Sequence, residues 1–149
     1  MATIQLPPHS KEFLRLLTSH RVEYLLVGGY AVGYYGYPRA TVDIDIWIER
    51  SEANADKAVA VLEEFGFENA GSQRKWLLEQ DKVVRMGREP NRIELLTGID
   101  GVDFLDCSSR GIEAQIDGIS VRIIALEDLK ANKKASGRYK DLNDLEHLP

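Results

Sequence analysis

Only one of the 149 residues is cysteine, Cys107, so no disulfide framework can staple this chain, and a reducing compartment is the expectation. Its three histidines, His9, His20 and His147, lie far apart, which leaves neither the ligand spacing of a zinc site nor a catalytic triad. No apolar run is long enough to span a bilayer, and Met1 to Pro8 lacks the charged and apolar regions of a secretion signal; we therefore expect a cytoplasmic protein with no membrane partner. Net positive charge is absent too. Nineteen Lys and Arg against 24 Asp and Glu leave −5, which argues against general binding to nucleic-acid backbone, although a local surface could still take one RNA end. With 44% hydrophobic residues and no repeat or low-complexity segment, the chain can bury a core unaided, and we expect one domain over residues 1–149.

Periodicity gives the elements. Ser10 is placed to cap a helix that turns Phe13, Leu14, Leu16 and Leu17 inward, and Ser51 to cap another with Ala55, Ala58, Val59, Leu62 and Phe65 on one side, stopped by Gly66. Val22 to Val27 is a short strand running into Gly28-Gly29, after which Tyr30 to Tyr35 begins a helix. Strands are predicted near Val83–Met86 and Arg92–Leu96. Asp117-Gly118 between two apolar stretches is a hairpin signal, and helices follow over Leu126–Lys134 and Asp141–His147. The outcome is an α+β chain: a mixed, mostly antiparallel sheet with helices packed against it and a short C-terminal helical piece from about residue 126.

The segment from Thr41 to Ile48 alternates with period two, putting Val42, Ile44, Ile46 and Ile48 on one face and Thr41, Asp43, Asp45 and Trp47 on the other. Asp43 and Asp45 are then about 6.6 Å apart along the strand. Such a pair repels unless a cation sits between, and divalent ions bridged by carboxylates and phosphate oxygens are what in-line displacement at phosphorus employs. Magnesium suits an all-oxygen site. Taken alone, Asp-x-Asp is more often a solvated strand face at a sheet edge. Arg92 to Leu96 reads as a second strand whose Glu94 can face the same cleft, or can simply pair with Arg92. Asp100, Asp103 and Asp106 read as loop residues near Gly98 and Gly101.

Two further features bear on phosphate. Glycines at 28 and 29 let backbone come close to a ligand. Residues 130 to 140 carry five basic side chains and no acid, a cationic patch in an acidic chain. Lys130, Lys134 and Lys140 read as a solvated helix face. Arg39 is placed either to reach phosphate or to pair with Glu49 or Glu52. The tyrosines at 30, 34, 35 and 37, with Trp47 and Trp76, read as packing residues, and nothing beside Cys107 marks it as a nucleophile.

The blocks Leu25-Leu26-Val27-Gly28-Gly29-Tyr30-Ala31, Pro38-Arg39-Ala40-Thr41-Val42-Asp43-Ile44-Asp45, Arg92-Ile93-Glu94-Leu95-Leu96, Leu126-Glu127-Asp128-Leu129 and Lys133 to Leu145 cover nearly the whole chain. In order and spacing they resemble the nucleotidyltransferase superfamily with the DNA polymerase β-like fold, in its small bacterial abortive-infection-type branch. The resemblance implies Asp43, Asp45 and Glu94 as catalytic metal ligands, with Glu94 also able to take a proton from the attacking hydroxyl. It gives Gly28, Gly29, Arg39, Lys133 and Arg138 to the nucleotide, leaving Asp141 and Asp144 to anchor the last helix or orient those basic groups. Two Mg2+ ions, replaceable by Mn2+, would serve transfer of a nucleoside monophosphate from an NTP to a hydroxyl with release of pyrophosphate. The superfamily's glycine-serine signature has serine where this chain has Gly29, so one hydroxyl contact to phosphate is missing. Toxins of toxin–antitoxin and phage-defence systems belong to this branch, so the implied acceptors are a tRNA or other RNA end, a protein or a small molecule, and an antitoxin is an implied partner. Larger relatives append a helical domain, so a homodimer completing the cleft is a further expectation. The reading from a different class is a catalytically inactive nucleotide sensor or partner-binding module of the same fold.

Overall fold

A computed structural model describes residues 4–41, 43–88 and 90–149. Among these, seven α-helices and six strands alternate: α1 (Pro8–Ser19), β1 (Tyr24–Val27), α2 (Gly28–Tyr34), β2 (Asp43–Ile48), α3 (Glu52–Phe65), a 3-10 turn (Ala70–Gln73), α4 (Arg74–Leu78), β3 (Val83–Met86), β4 (Arg92–Leu96), α5 (Phe104–Arg110), β5 (Ile112–Ile116), β6 (Ile119–Ile123), α6 (Leu126–Ser136) and α7 (Tyr139–His147). The strands form one mixed sheet in the order β3-β4-β2-β1-β6-β5. Three pairings are antiparallel, β1 with β2, β3 with β4 and β5 with β6, while β1 with β6 and β2 with β4 are parallel. The expected mixed, mostly antiparallel sheet is what the chain forms.

The alternation in β2 does what its period dictates. Ile44, Ile46 and Ile48 are buried in the core with Leu25, Leu26, Ile93, Leu95 and Ile123. The opposite face carries Asp43 and Asp45, and beyond them Trp47, which is buried edge-on against Phe104 at 5.0 Å. Val42, expected on the apolar face, lies outside the described residues. Phe13, Leu14 and Leu17 of α1 are fully buried and α1 packs on α3. Ser51 caps α3 by accepting the Asn54 N–H at 3.1 Å, and Gly66 ends it with φ +100°. The hairpin turn between β5 and β6 uses positive φ at both Asp117 and Gly118, as a two-residue I′ loop requires.

Three local expectations are corrected. Ser10 does not cap α1: the helix starts at Pro8, whose fixed φ suits a first-turn position, and Ser10 is buried within it. Asp106 is not in a loop but in the first turn of α5, and Asp103 is that helix's N-cap. Neither α5, of seven residues, nor α4, of five, is long enough to show a clear period. Trp76 is 43% exposed rather than packed, with its indole N–H donating to the Val83 carbonyl and Lys82 lying over its ring.

Candidate active site

Asp43 and Asp45 project from one face of β2, and the parallel register of β2 with β4 sets Arg92 opposite Asp43 and Glu94 opposite Asp45. Register partners share a sheet face, so all three acids emerge on the same side. Asp43 and Asp45 border a cleft of about 730 Å³, shared with Gly28, Gly29, Arg39, Thr41, Lys133, Arg138 and Lys140. Glu94 stands one strand over, sharing the Arg92 guanidinium with Asp43, and is not among the residues that border the cleft.

Strand delivery explains why the acids do not meet as a bare cluster. Arg92 donates from Nε and Nη2 to the two oxygens of Asp43, each at 3.0 Å, and its Nη2 also reaches Glu94 Oε1 at 3.2 Å. Arg85 of β3, paired in register with Glu94, adds a contact at 3.4 Å. Among the described residues, no three His, Cys, Asp or Glu side chains converge closely enough to hold a metal ion as they stand. The expected trio thus shares a face and a neighbourhood without forming a ready-made cage, and a guanidinium lies between two of its members.

Asp45 is the acid left without a partner: among the described residues it makes no ion pair and no side-chain hydrogen bond. Burial, with Glu94 and Asp43 adding like charge, pushes its pKa up to about 7, against the milder pull of Lys140 and Lys133. Glu94 is raised for the same reasons, burial first and Asp43 second. A hard oxygen donor that is partly buried and, among the described residues, in contact with no cation has the chemistry a divalent ion requires, and Asp43 offers a second carboxylate on the same strand face. A Cβ on Gly28, whose φ is +69°, would run into the Asp45 carboxylate. Gly28 thus keeps the turn and the acid in contact.

The cationic wall is held by α6 and α7. Lys133 is 4% exposed and bonds Asp141 at 3.2 Å and Asp144 at 3.0 Å. Arg39 grips Asp144 through two bonds of 2.7 and 2.9 Å, choosing it over Glu49 or Glu52, and Arg138 donates from Nε to Asp141 at 2.8 Å. Burial alone would raise both aspartates, but the hydrogen bonds from Arg138 and Lys133 to Asp141, and from Arg39 and Lys133 to Asp144, bring them below the ordinary carboxylate range. Three cations and two anions make a network with a surplus positive charge at the cleft edge.

Three residues with a place in the site escaped the sequence reading of function. Lys140, expected on a solvated face, borders the cleft and is among the charges that act on Asp45. Thr41 lies against Gly29, where an added Cβ would come within 2.7 Å of the threonine hydroxyl, which donates to the Asp43 carbonyl at 3.1 Å. Arg92 was visible only as a neighbour of Glu94. The register that sets it on Asp43 is a tertiary fact, although its position two residues before Glu94 puts both on one face. Cys107 is buried and its thiol is pushed up to about 11, chiefly by burial, which removes it as a nucleophile.

Residues 9–149 match the family described as nucleotidyl transferase of unknown function (DUF2204). The chain belongs to this nucleotidyl transferase family. Among curated proteins, none matches it in sequence. Solved structures share its fold. A Thermotoga maritima protein assigned as a nucleotidyltransferase superposes with a TM-score of 0.60 at 15% identity, covering 95% of this chain and 93% of that one. The lincosamide antibiotic adenylyltransferase LnuA, solved with lincomycin bound, gives 0.59 at 16% identity and covers 97% of both chains. An antigenic nucleotidyltransferase-like protein from Paracoccidioides brasiliensis gives 0.52 at 17% identity over 93% of this chain and 73% of that one. The nucleotidyltransferase fold is therefore shared across chains of very different sequence, and the family places this chain among transferases.

Proposed function

We propose that this nucleotidyl transferase is magnesium-dependent and moves a nucleoside monophosphate from an NTP to a hydroxyl on its acceptor, releasing pyrophosphate. The observation that carries the proposal is the facing of two unlike walls across one cleft: Asp43 and Asp45 on β2, and Lys133, Arg138 and Lys140 on the α6–α7 side. A carboxylate pair alone suits a cation and a basic cluster alone suits an anion, but both together suit a metal–triphosphate.

Asp45 and Asp43 would hold the divalent cation. Bound there, it would polarise the phosphate and stabilise the departing pyrophosphate. Gly28 and Gly29 offer side-chain-free backbone at the cleft, while Lys140 and the surplus charge of the Arg39–Lys133–Arg138 network attract the phosphate tail. Glu94, whose proton affinity is raised by burial and by the neighbouring Asp43, is the base for the acceptor hydroxyl.

Acceptors within this proposal are a small molecule, an RNA end or a protein side chain. The small molecule is preferred: the net charge of −5 opposes a polyanion, and LnuA, with lincomycin bound, matches this chain end to end. A toxin role, with an antitoxin as partner, stays within the proposal if the acceptor is RNA or protein. The second reading, a nucleotide-binding module without turnover, has one observation in its favour, the bidentate hold of Arg92 on Asp43.

The test is transfer of label from α-labelled ATP, GTP, CTP and UTP to hydroxyl-bearing small molecules, total RNA and cell extract. Label transferred by the wild type but not by Asp45→Asn supports the enzyme. Nucleotide binding with no labelled product from any acceptor supports the binder.

A further inference from the structure

We propose that Arg92 is a built-in counter-cation that weakens the carboxylate site for free divalent metal, so that the ion is taken up together with the triphosphate. This rests on the metal–nucleotide reading above and adds the order in which its components bind.

The geometry of Arg92 is that of a resident, not a passer-by. Register with Asp43 across β2 and β4 delivers its guanidinium from a strand, and the side chain is 26% exposed. Both Asp43 oxygens are engaged at 3.0 Å, and one of the same nitrogens lies 3.2 Å from Glu94. This fork matches a carboxylate in plane, which a lysine could not do. With Arg85 on Glu94 at 3.4 Å, two guanidiniums stand against the three acids Asp43, Asp45 and Glu94. Fully ionised, the group carries a net −1; without Arg92 it would carry −2, and a divalent ion approaching Asp43 would meet no charge of its own sign in contact. Arg92 therefore opposes a bare cation twice, by repulsion and by occupying the oxygens the ion needs. A triphosphate changes both terms. Its oxygens supply metal ligands from the solvent side and its negative charge offsets the guanidinium. Arg92 acts through Asp43 and Glu94, as a positioning residue, and need not touch substrate.

The alternative role, a purely structural clamp between two strands, makes the opposite prediction. Loss of a clamp would let the acids drift and weaken metal binding. Loss of a competing cation strengthens it.

The experiment is calorimetric titration of the full chain with MnCl2, without nucleotide, for wild type, R92M, R92Q and R85M, with melting curves to establish that each variant is folded. R92M and R92Q should bind Mn2+ at least tenfold more tightly than wild type. R85M should change affinity less than threefold, because Arg85 is 58% exposed and, among the described residues, pairs with Glu94 alone. If R92M does not fold, R92Q, which keeps hydrogen bonding without charge, decides. Equal or weaker Mn2+ binding by the folded variants overturns the proposal. A parallel titration with Mn2+ and a non-hydrolysable ATP analogue separates the two levels: nucleotide bound by wild type with unchanged Mn2+ affinity in R92M defeats the role of Arg92 alone, whereas no binding by either protein defeats the metal–nucleotide reading together with it.

Discussion

Single residues carry opposed demands in this cleft, and Asp45 shows it best. The folded chain holds its proton more tightly than the unfolded chain does, with a pKa near 7 against 3.8, so its contribution to stability is fullest below 3.8 and is lost as pH rises to about 7. That gap sets a ceiling of about 4 kcal/mol on the loss. Metal-free protein should therefore lose melting temperature across this window, and Asp45→Asn should melt higher than wild type at pH 8 and indistinguishably near pH 4. Magnesium together with a non-hydrolysable ATP analogue should raise the wild-type melting temperature at pH 8, do less at pH 5 where the proton competes for Asp45, and do little for Asp45→Asn at either. A second prediction concerns the turn. Gly29→Ser, which installs the hydroxyl of the common superfamily signature, brings its Cβ within 2.8 Å of the Thr41 Cβ. Overpacking of that kind costs about 1 to 3 kcal/mol. Thermal melts should show the loss in Gly29→Ser and a smaller loss in Gly29→Ser combined with Thr41→Gly, which removes both the hydroxyl and the Cβ that the new side chain meets; an unperturbed single variant would mean that Thr41 does not fill the place of the missing serine.

At the level of elements, α7 is fastened by charge rather than by apolar burial. Asp144 is fully buried between Arg39 from the segment before β2 and Lys133 from α6, and the exposed side of the same helix shows Tyr139 and Leu142 to solvent. Removing one member of a buried hydrogen-bonded ion network costs about 3 to 5 kcal/mol. Asp144→Ala should thus loosen α7, seen as faster amide exchange over residues 139–147 with the central strands still protected, and should weaken nucleotide binding by disordering Arg39 and Lys133. Asp141 and Asp144 have lowered pKa values, so their stability is complete above about 3.8 and is lost as pH falls further, on the acid side of the window that Asp45 governs. Legibility follows the same division. Strands β3 and β4, the β5–β6 hairpin, α3 with its Ser51 cap, and both C-terminal helices could be read locally, because each is marked by its own period, turn or cap. The acids of β2 could be read for the same reason. The partners could not be: that Asp43 meets Arg92, that Arg39 chooses Asp144, and that Lys140 points into the cleft are consequences of strand order and helix docking, for which the linear pattern holds no signal.

For the molecule as a whole, one sheet does two jobs. Its apolar side is core, and the other side of its middle strands lifts the acids into a cleft whose far wall comes from helices at the end of the chain. That division lets the acidic face carry repelling charge while the fold is held elsewhere. The most direct test of the account is diffraction from crystals soaked with Mn2+ and a non-hydrolysable NTP. The account predicts an anomalous peak at oxygen-ligand distance from both Asp43 and Asp45, with the triphosphate running past Gly28 and Gly29 toward Lys133, Arg138 and Lys140. An anomalous peak away from these two aspartates, or nucleotide density outside the cleft, would contradict it.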